Sequence, residues 1–276
     1  MKTQAEKAAE FAALHDGPSA FVIPNPWDAG SARMLAALGF QALTTTSAGF
    51  ARSTGVPDYG ITRDHLLEHI RAVAAATDLP LAGDLENGFG HSPEICAETI
   101  RLGAGAGLVG GSIEDASNDP AHPIYDIGHA AERIAAAAEA AQSLPFRFML
   151  VARCENHLHG RNDLTDTIRR LQAYQAAGAD VLFAPGLETA EDIRMVCRAL
   201  DRPVNVMRGP RNAMLSLDEL AALGVKRVSL GNLLHSAAMT AFLTAAREAT
   251  GGDFAFAAGV TPGSEIDALL QAGRPV

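Results

Sequence analysis

The chain repeats one hydrophobic pattern from about residue 20 to residue 250. A short apolar run ends in polar or glycine residues, and an Ala- and Leu-rich stretch of helical length follows it. The pattern predicts strands at residues 21–26, 42–47, 79–87, 106–115, 147–156, 180–186, 203–209 and 227–232. Because these runs are almost continuously apolar, we expect a parallel sheet that is buried on both faces.

Cap residues support the predicted helix boundaries. Residue types that favour a helix N-cap precede four of the helical stretches, namely Ser92, Asp163, Thr189 and Ser216. Glycines that suit the left-handed conformation just after a helix follow three of them, namely Gly39, Gly178 and Gly224. The local signals and the hydrophobic pattern therefore predict the same alternation of strand and helix.

The repeated unit favours a closed (β/α)8 TIM barrel, that is, a single α/β domain with a parallel closed sheet. We place this domain at residues 1–250 and a Gly-rich C-terminal helical extension at residues 251–276, which we expect to cover part of the barrel or a neighbouring subunit. The alternative is an open doubly wound sheet, which usually carries a Gly-rich phosphate loop after its first strand. The segment NPWDAGSA matches such a loop poorly.

Composition narrows the choice of partners. Apolar residues make up 48% and aromatic residues only 5%, so the core must consist mainly of Ala, Val, Leu and Ile. The net charge is −10 and no Lys/Arg cluster is present, so we expect no nucleic-acid partner. The chain has no apolar run of membrane-spanning length, and its first residues lack the apolar region of a secretory signal. We therefore expect no membrane partner and a cytoplasmic location.

The candidate chemistry lies where the strands end, because a barrel carries its active site at the carboxyl ends of its strands. Asp84 and Glu86, two residues apart on one strand, are expected to point to the same face. Carboxylates placed this close stay ionised only with a cation or a basic group between them, and Glu114 at the next strand end can join them. Oxygen ligands without His or Cys favour Mg2+, with Mn2+ possible. The alternative is that these acids are solvated loop residues or helix caps.

Two further segments at the strand ends suit an anionic substrate. Thr45 ends the second strand, and the small residues Ser47, Ala48 and Gly49 let backbone N–H groups approach a carboxylate, although an ordinary turn would look the same. Arg153 ends a buried strand and needs an anionic partner, which is either the substrate or a carboxylate such as Glu114 or Glu155.

The remaining Cys and His residues indicate packing rather than chemistry. The three cysteines are widely separated and odd in number, so neither a disulfide framework nor a Cys-based zinc site is expected from Cys96, Cys154 and Cys197. Cys154 should point away from the barrel mouth, because it follows Arg153 on the strand. Three histidines fall within predicted helices and are interpreted as surface or packing residues, namely His65, His69 and His129.

Several motifs, in order, resemble the isocitrate lyase/phosphoenolpyruvate mutase superfamily. The similarity covers about residues 20 to 245 and rests on NPWDAGSARMLAALGFQALTTTSAG, GVPD, DLENGFG, GSIED and VARCEN. In DLENGFG, Glu86 stands where the family has a second Asp. Each motif is weak by itself, but five in the same order along the chain are specific.

The resemblance implies roles for these residues. Asp84 would be the direct Mg2+ ligand, and Glu86, Glu114 and Asp58 would hold the metal directly or through water. Thr45, Ser47, Ala48 and Gly49 would bind a small carboxylic acid substrate. Arg153 would bind the substrate as well, and it is taken together with Asp58 as catalytic. The resemblance also implies a homotetramer, a dimer of dimers in which the last helix is exchanged between neighbouring subunits.

The chain departs from the superfamily at the acid/base residues. The lyases carry a Lys-Lys-Cys-Gly-His loop after the fourth strand, whereas this chain has ASNDPAHPIYDIG, without Cys or Lys. The phosphonate mutases and hydrolases carry a Lys and an Asn in that loop, and here only Asn118 is present. Ala184 and Pro185 stand where the mutases have a His.

The parts of the site that remain favour one reaction class. We expect a Mg2+-dependent carbon–carbon lyase or decarboxylase that acts on a small 2-oxo or 2-hydroxy acid through a metal-stabilised enolate. His122 or Tyr125 could supply a base, or both are plain loop residues. The alternatives are a phosphonopyruvate-type mutase or hydrolase that acts on a P–C bond, and a non-catalytic protein that binds 2-oxo acids.

Overall fold

Eight parallel strands form the centre of the molecule in a computed structural model, which describes residues 1–275 apart from the side chain of Arg211. The strands are β1 (Phe21–Ile23), β2 (Leu43–Thr44), β3 (Leu81–Asp84), β4 (Gly110–Glu114), β5 (Met149–Arg153), β6 (Val181–Phe183), β7 (Val204–Met207) and β8 (Arg227–Ser229). Each of them lies inside one of the eight predicted segments.

Helices follow the strands and surround them. They are α1 (Gln4–Asp16), α2 (Ala29–Ala37), α3 (Ser47–Ser53), α4 (Arg63–Ala74), α5 (Pro93–Gly105), α6 (Ile127–Gln142), α7 (Leu164–Ala176), α8 (Ala190–Arg198), α9 (Leu217–Ala222), α10 (Leu233–Thr250) and α11 (Gly263–Ala272). Short 3-10 turns span Pro210–Asn212 and Ala255–Gly259. The predicted caps at Asp163, Thr189 and Ser216 each accept a hydrogen bond from a backbone N–H in the first turn of their helix.

The sheet closes on itself. Its strands are hydrogen-bonded in the order β1-β8-β7-β6-β5-β4-β3-β2, and every pair is parallel. The seam between β1 and β2 is joined by a hydrogen bond of 3.1 Å from the Thr44 N–H to the Pro24 carbonyl. The Asn25 side chain donates across the same seam to the Thr45 carbonyl, at 2.9 Å. The predicted (β/α)8 barrel is therefore confirmed, and an open sheet is excluded.

One prediction about strand geometry is wrong. The third strand was expected to reach residue 87, but it ends at Asp84, and Glu86 has a positive φ of 49°. A left-handed residue lies outside the alternating pattern of a strand, so Glu86 does not share a strand face with Asp84. Any proximity of these carboxylates therefore results from the turn after β3 rather than from the strand itself.

The core has two layers. Inside the barrel, Val151, Val181 and Phe183 pack with residues of β1, and Phe11 from α1 closes the amino-terminal end of the barrel. Between strands and helices lies a second layer that is rich in alanine, as the low aromatic content predicts. Small side chains allow the helices to pack closely on the strands. Polar residues lie at the carboxyl ends of the strands.

His15 on α1 makes the stability of this core dependent on pH. Its ring lies between Phe11 and Phe21, its Nδ1 donates to the Phe11 carbonyl at 2.8 Å, and its Nε2 is buried without a hydrogen-bond partner. Burial, and secondarily the charge of Arg227, lowers the pKa of His15 from 6.5 to about 3. Below pH 6.5 the imidazole of His15 is therefore protonated in the unfolded chain but stays neutral in the folded chain. Stability is lost as the pH falls from 6.5 towards 3.

We expect the free energy of unfolding to fall by about 2 kcal/mol between pH 6.5 and pH 5 on account of His15. His15→Leu should remove this part of the pH dependence, because leucine does not titrate. Urea denaturation of both proteins at the two pH values measures the effect. An equal loss of stability in both proteins would contradict the assignment.

The two C-terminal helices differ in their packing. The last helix, α11, contacts α2 of the same chain. In contrast, α10 leaves several large apolar side chains exposed, namely Leu233, Met239, Phe242 and Leu243. Helix α10 ends at Thr250, and the division of the chain at residue 250 stays a prediction. Within residues 1–275, no helix combines the length and the apolar character needed to cross a membrane.

Candidate active site

Arg153 is the centre of a cluster of carboxylates at the carboxyl ends of β3, β4 and β5. Its Nη1 lies 3.3 Å from Glu114 Oε2 and 3.5 Å from Asp84 Oδ1, and its Nε donates to Glu155 Oε1. The Arg153 side chain is largely buried, and both glutamates are fully buried. The partner that the sequence required for Arg153 is therefore present within the chain, and it consists of three carboxylates.

Asp84 is held in place by the segment after β2. The Asp84 N–H donates to Thr45 Oγ1 at 2.9 Å, and the Ser47 hydroxyl and N–H donate to Asp84 Oδ2 at 2.8 and 3.1 Å. The Gly49 N–H donates to Thr46 Oγ1 at 3.1 Å. The expected carboxylate loop thus begins helix α3, and Ser47 positions Asp84. Binding of a substrate carboxylate by Ser47, Ala48 and Gly49 stays a prediction.

Glu86 and Asp58 are two further carboxyl groups that interact electrostatically with Asp84. Burial first, and then the charges of Asp84 and Asp58, raise the pKa of Glu86 to about 8. Burial also raises the pKa of Asp58, followed by the effect of Asp84. Glu86 Oε1 is buried without a hydrogen-bond partner. The turn after β3 and the GVPD segment therefore bring two further carboxyl groups to the Asp84 side of the cluster.

A second group of polar residues contacts the cluster from the helix layer. Asp115 accepts hydrogen bonds from the Tyr174 hydroxyl at 2.6 Å, from Arg170 Nη1 at 3.2 Å and from the Glu155 N–H at 2.8 Å. Burial raises the pKa of Asp115, but these donors oppose the shift. The sequence analysis missed Arg170 and Tyr174, although their spacing of four residues places both on one face of α7. They fix the loop that carries Glu155.

Tyr59 is the other residue that the sequence analysis missed. Its backbone is left-handed, with φ 60°, and its hydroxyl donates to Glu114 Oε1 at 2.9 Å. This φ is uncommon for a residue with a large side chain, so the turn after Asp58 holds Tyr59 in a backbone conformation that such residues rarely adopt. Glu114 therefore has two donors, Arg153 on one oxygen and Tyr59 on the other.

We expect Tyr59→Phe to lower the Tm by about 2–4 °C, because loss of the donor to a buried carboxylate costs about 1 kcal/mol. Tyr125→Phe is a matched control, since the Tyr125 hydroxyl bonds the exposed His91 at 2.6 Å outside the cluster. Thermal unfolding of the two variants measures the difference. Equal Tm shifts would show that the Tyr59–Glu114 hydrogen bond contributes no more to stability than the Tyr125–His91 hydrogen bond.

The cluster suits a hard cation that retains water ligands. Across residues 1–275, no three Asp, Glu, His or Cys side chains form a ready set of metal ligands. Asp84 and Glu114 share Arg153, and Glu86 comes from the turn after β3. Mg2+ commonly takes only one or two carboxylates and completes its shell with water or substrate oxygens. The unpartnered Glu86 Oε1 is compatible with such an ion.

The loop after β4 does not bring the candidate bases to the cluster. The His122 side chain is 85% exposed and faces Asp119, at 3.4 Å. The hydroxyl of Tyr125 bonds His91, and the guanidinium of Arg133 lies 4.3 Å from the centre of its ring. These contacts favour the interpretation of both candidates as loop residues.

The Cys and His residues lie where packing was predicted. Cys154 and Cys96 are buried among apolar residues of the outer layer, and burial raises the pKa of each thiol. His65 is exposed on α4, and His69 stacks on Phe50 with 3.9 Å between the ring centres. The side-chain ion pairs of Arg153 in the described residues are with Asp84, Glu114 and Glu155, not with any of these four side chains.

Curated relatives cover most of this chain. An uncharacterized protein of Mycobacterium tuberculosis is 34% identical over 88% of this chain and 90% of its own length. The 2-methylisocitrate lyase of Bacillus subtilis is 28% identical over 82% of this chain and 76% of its own. Oxaloacetate decarboxylase 2 of Pseudomonas fluorescens is 27% identical over 93% of this chain and 86% of its own length.

Solved structures agree with these relatives. A protein from Burkholderia cenocepacia J2315, assigned only provisionally as a lyase/mutase, has a TM-score of 0.95 and 58% identity, with 97% of each chain covered. A phosphonopyruvate hydrolase in complex with oxalate and Mg2+ has a TM-score of 0.84 and 25% identity, over 96% of this chain and 95% of that one.

A family model connects the barrel and its carboxylate cluster to one group of enzymes. The model of the phosphoenolpyruvate phosphomutase family matches residues 11–250, which include all eight strands and every residue of the cluster. The motifs along the strand ends and the shared fold lead to the same assignment. The chain therefore belongs to the phosphoenolpyruvate phosphomutase family, within the isocitrate lyase/phosphoenolpyruvate mutase superfamily of enzymes.

Proposed function

We propose that this protein is a Mg2+-dependent carbon–carbon lyase or decarboxylase that acts on a small 2-oxo or 2-hydroxy acid. The observation that carries the proposal is the buried carboxylate cluster around Arg153 at the barrel mouth. The similarity to a 2-methylisocitrate lyase and to an oxaloacetate decarboxylase supports the reaction class. The similar phosphonopyruvate hydrolase, which binds oxalate and Mg2+, supports the choice of metal and of a small carboxylic acid.

The residues of the cluster have different proposed roles. Bound Mg2+ would supply Lewis-acid polarisation of the 2-oxo group, with Asp84 as its direct protein ligand. The residues that would hold it directly or through water are Glu86, Glu114 and Asp58. Thr45 and Ser47 keep Asp84 in one orientation through their hydrogen bonds. We assign the substrate carboxylate to the N–H groups of Ser47, Ala48 and Gly49.

Arg153 would stabilise the negative charge that forms during bond cleavage. In the decarboxylation of an oxaloacetate-like acid, the C3–C4 bond breaks, its electron pair stays on C3 in conjugation with the 2-oxo group, and CO2 leaves. The guanidinium bonds the resulting enolate oxygen, and a proton from solvent then adds to C3. This route needs no acid/base residue in the loop after β4, which agrees with the missing Cys and Lys.

The test is a screen of candidate acids with Mg2+. Oxaloacetate, isocitrate, methylisocitrate, dimethylmalate and phosphonopyruvate are each incubated with the protein, and pyruvate, glyoxylate, CO2 and phosphate are measured. We expect release of a 2-oxo acid that stops when EDTA removes the metal and returns with added Mg2+. Full activity after rigorous metal removal would reject the proposal.

Cleavage of a P–C bond is the second candidate, because a phosphonopyruvate hydrolase is among the similar structures. The loop after β4 lacks the family's Lys, and Ala184 and Pro185 replace its His, so we rank this reaction lower. Phosphate release from phosphonopyruvate would reverse the ranking. Tight binding of 2-oxo acids without turnover of any acid would favour the non-catalytic alternative.

We further propose a cytoplasmic homotetramer in which subunits exchange a C-terminal helix. The exposed apolar side chains of α10 support exchange of this helix, rather than of α11, which packs on α2 of its own chain. Exposed apolar patches of this kind commonly mark subunit interfaces. Phe242→Asp should convert the tetramer into smaller species in light scattering, whereas Leu38→Asp, at the exposed leucine that caps the C-terminus of α2, should not. A wild-type monomer would refute the assembly.

A further inference from the structure

The turn after β3, residues 85–91, has a strained backbone. Glu86, Gly88 and Phe89 have positive φ values of 49°, 82° and 63°. Glycine adopts this conformation readily, but the side chains of Glu86 and Phe89 disfavour it. Residues other than glycine keep such a conformation only where the surrounding structure holds them in it. The turn that contains Glu86 therefore needs contacts with another part of the chain.

Arg133 on α6 supplies those contacts. Its Nη1 donates to the carbonyls of Gly90 and His91 at 2.7 and 2.9 Å, and its Nη2 donates to the carbonyl of Asn87. Asn87 is the residue after Glu86, so Arg133 bonds the turn both close to Glu86 and at its far end. The Arg133 side chain is only 1% exposed, so water does not compete for these carbonyls.

The geometry of these contacts suits arginine and not lysine. A guanidinium is planar and presents donors in several directions, whereas the lysine ammonium is a point charge on a flexible stem. The guanidinium of Arg133 also lies over the ring of Tyr125, 4.3 Å from its centre, which restricts its orientation. A buried cation is costly unless polar groups compensate it, and the carbonyl groups of the turn do so here.

The same turn is bonded to the carboxylate cluster. The Glu86 carbonyl accepts from the Glu114 N–H at 3.0 Å, and the charge of Asp84 acts on the Glu86 carboxyl. From α5, Thr99 Oγ1 donates to the Gly88 carbonyl at 2.7 Å. The backbone of the turn therefore determines where the Glu86 carboxyl lies relative to the other acids of the cluster.

We propose that Arg133 is a positioning residue of the metal site, because it fixes the turn that places the Glu86 carboxyl. Arg133 acts through the backbone of the turn, and Thr99 assists it from the other side. The inference rests on the proposed function, which assigns Mg2+ to Asp84 and Glu86. Residues that hold metal ligands in place commonly change metal affinity by about 10- to 100-fold when they are substituted.

Titration calorimetry with Mg2+ alone tests the inference without any need for turnover. We expect Arg133→Lys to bind Mg2+ about tenfold more weakly than the wild type, because one ammonium cannot hold three carbonyls. Val196→Ala, at a fully buried apolar residue of α8, is the control for loss of stability. It should lower the Tm and leave the affinity for Mg2+ unchanged. Wild-type affinity in Arg133→Lys would overturn the inference.

A double-mutant cycle shows whether Arg133 acts through Glu86. Glu86→Gln removes the carboxylate whose position is at issue. In that background, Arg133→Lys should weaken Mg2+ binding less than about twofold, because the positioned group is already absent. A tenfold loss in both backgrounds would overturn the inference, since the effect would then reach the metal by a route other than Glu86.

Thr99→Val gives a milder perturbation of the same turn. Valine has nearly the shape of threonine but cannot donate to the Gly88 carbonyl, and we expect about threefold weaker binding of Mg2+. If Arg133→Lys does not fold, Thr99→Val takes its place in the cycle with Glu86→Gln. Wild-type affinity for Mg2+ in Thr99→Val would then overturn the inference.

The failure of this inference differs from the failure of the proposed function. Weaker Mg2+ binding by Arg133→Lys, without turnover of any acid by the wild type, would reject the lyase and support the role of Arg133. Turnover by a wild type whose Mg2+ affinity is shared by Arg133→Lys would support the lyase and reject that role. If the wild type does not bind Mg2+, both are rejected.

Discussion

Asp84→Asn is expected to lower kcat/KM for the acid identified in the screen by about a thousandfold or more. Such a factor corresponds to about 4 kcal/mol of lost transition-state stabilisation, which is within the range for loss of a metal-binding group. Asparagine has nearly the shape of aspartate and can still accept from Ser47, and the backbone N–H of residue 84 still donates to Thr45, so the fold should persist. The removed negative charge is the one that we assign to direct contact with Mg2+.

Metal binding gives this prediction a second measurement. Titration with Mg2+ should show weakened binding by Asp84→Asn, while the circular dichroism spectrum stays that of the wild type. Asp64→Asn, at an exposed residue in the first turn of α4, is the control for removal of a negative charge and should behave as wild type. If Asp84→Asn retains both activity and affinity for Mg2+, Asp84 is not the metal ligand.

Arg153→Met is expected to lower the free energy of unfolding by about 3–5 kcal/mol. The substitution removes the cation that contacts Asp84, Glu114 and Glu155, and the two glutamates are fully buried. Removing one partner of a buried ion pair leaves an uncompensated charge, and that loss is much larger than the loss of an exposed pair. Methionine preserves most of the side-chain volume, so the electrostatic part dominates.

The direction of the pH effect tests this explanation. Without Arg153, the pKa values of Glu114 and Glu155, which burial already raises, should rise further. Protonation then relieves the repulsion, so the deficit of Arg153→Met relative to the wild type should shrink as the pH falls from 7 to 5. Urea denaturation at both pH values measures it. Arg194→Met, at an exposed pair with Glu191, should cost less than about 1 kcal/mol at either pH.

Much of the fold could be predicted from local patterns. Each strand of the barrel lies inside a segment that was identified by its apolar run, because a strand covered on both faces must be apolar almost throughout. The ends of the strands were harder to predict. The third strand stops at Asp84 because the chain turns into a left-handed residue at Glu86, and no apolar or polar alternation records such a turn.

The candidate site was predicted in part for the same reason. Asp84, Glu114 and Arg153 meet because parallel strands end on one side of a barrel, which follows from topology alone. Tyr59 comes from a distant loop, and Arg170 and Tyr174 reach Asp115 from the helix layer. Their contacts depend on how the loops fold over the strand ends, and one sequence contains no measure of those distances.

The sequence by itself determined the barrel class, the acidic strand ends and the family, because hydrophobic periodicity and short motifs are properties of neighbouring residues. Only the tertiary structure decided which carboxylates share Arg153 and that Ser47 holds Asp84. Those facts depend on residues that are far apart in the chain. The free energy of a buried charge is set by its neighbours in space, and these are known only once the loops are in place.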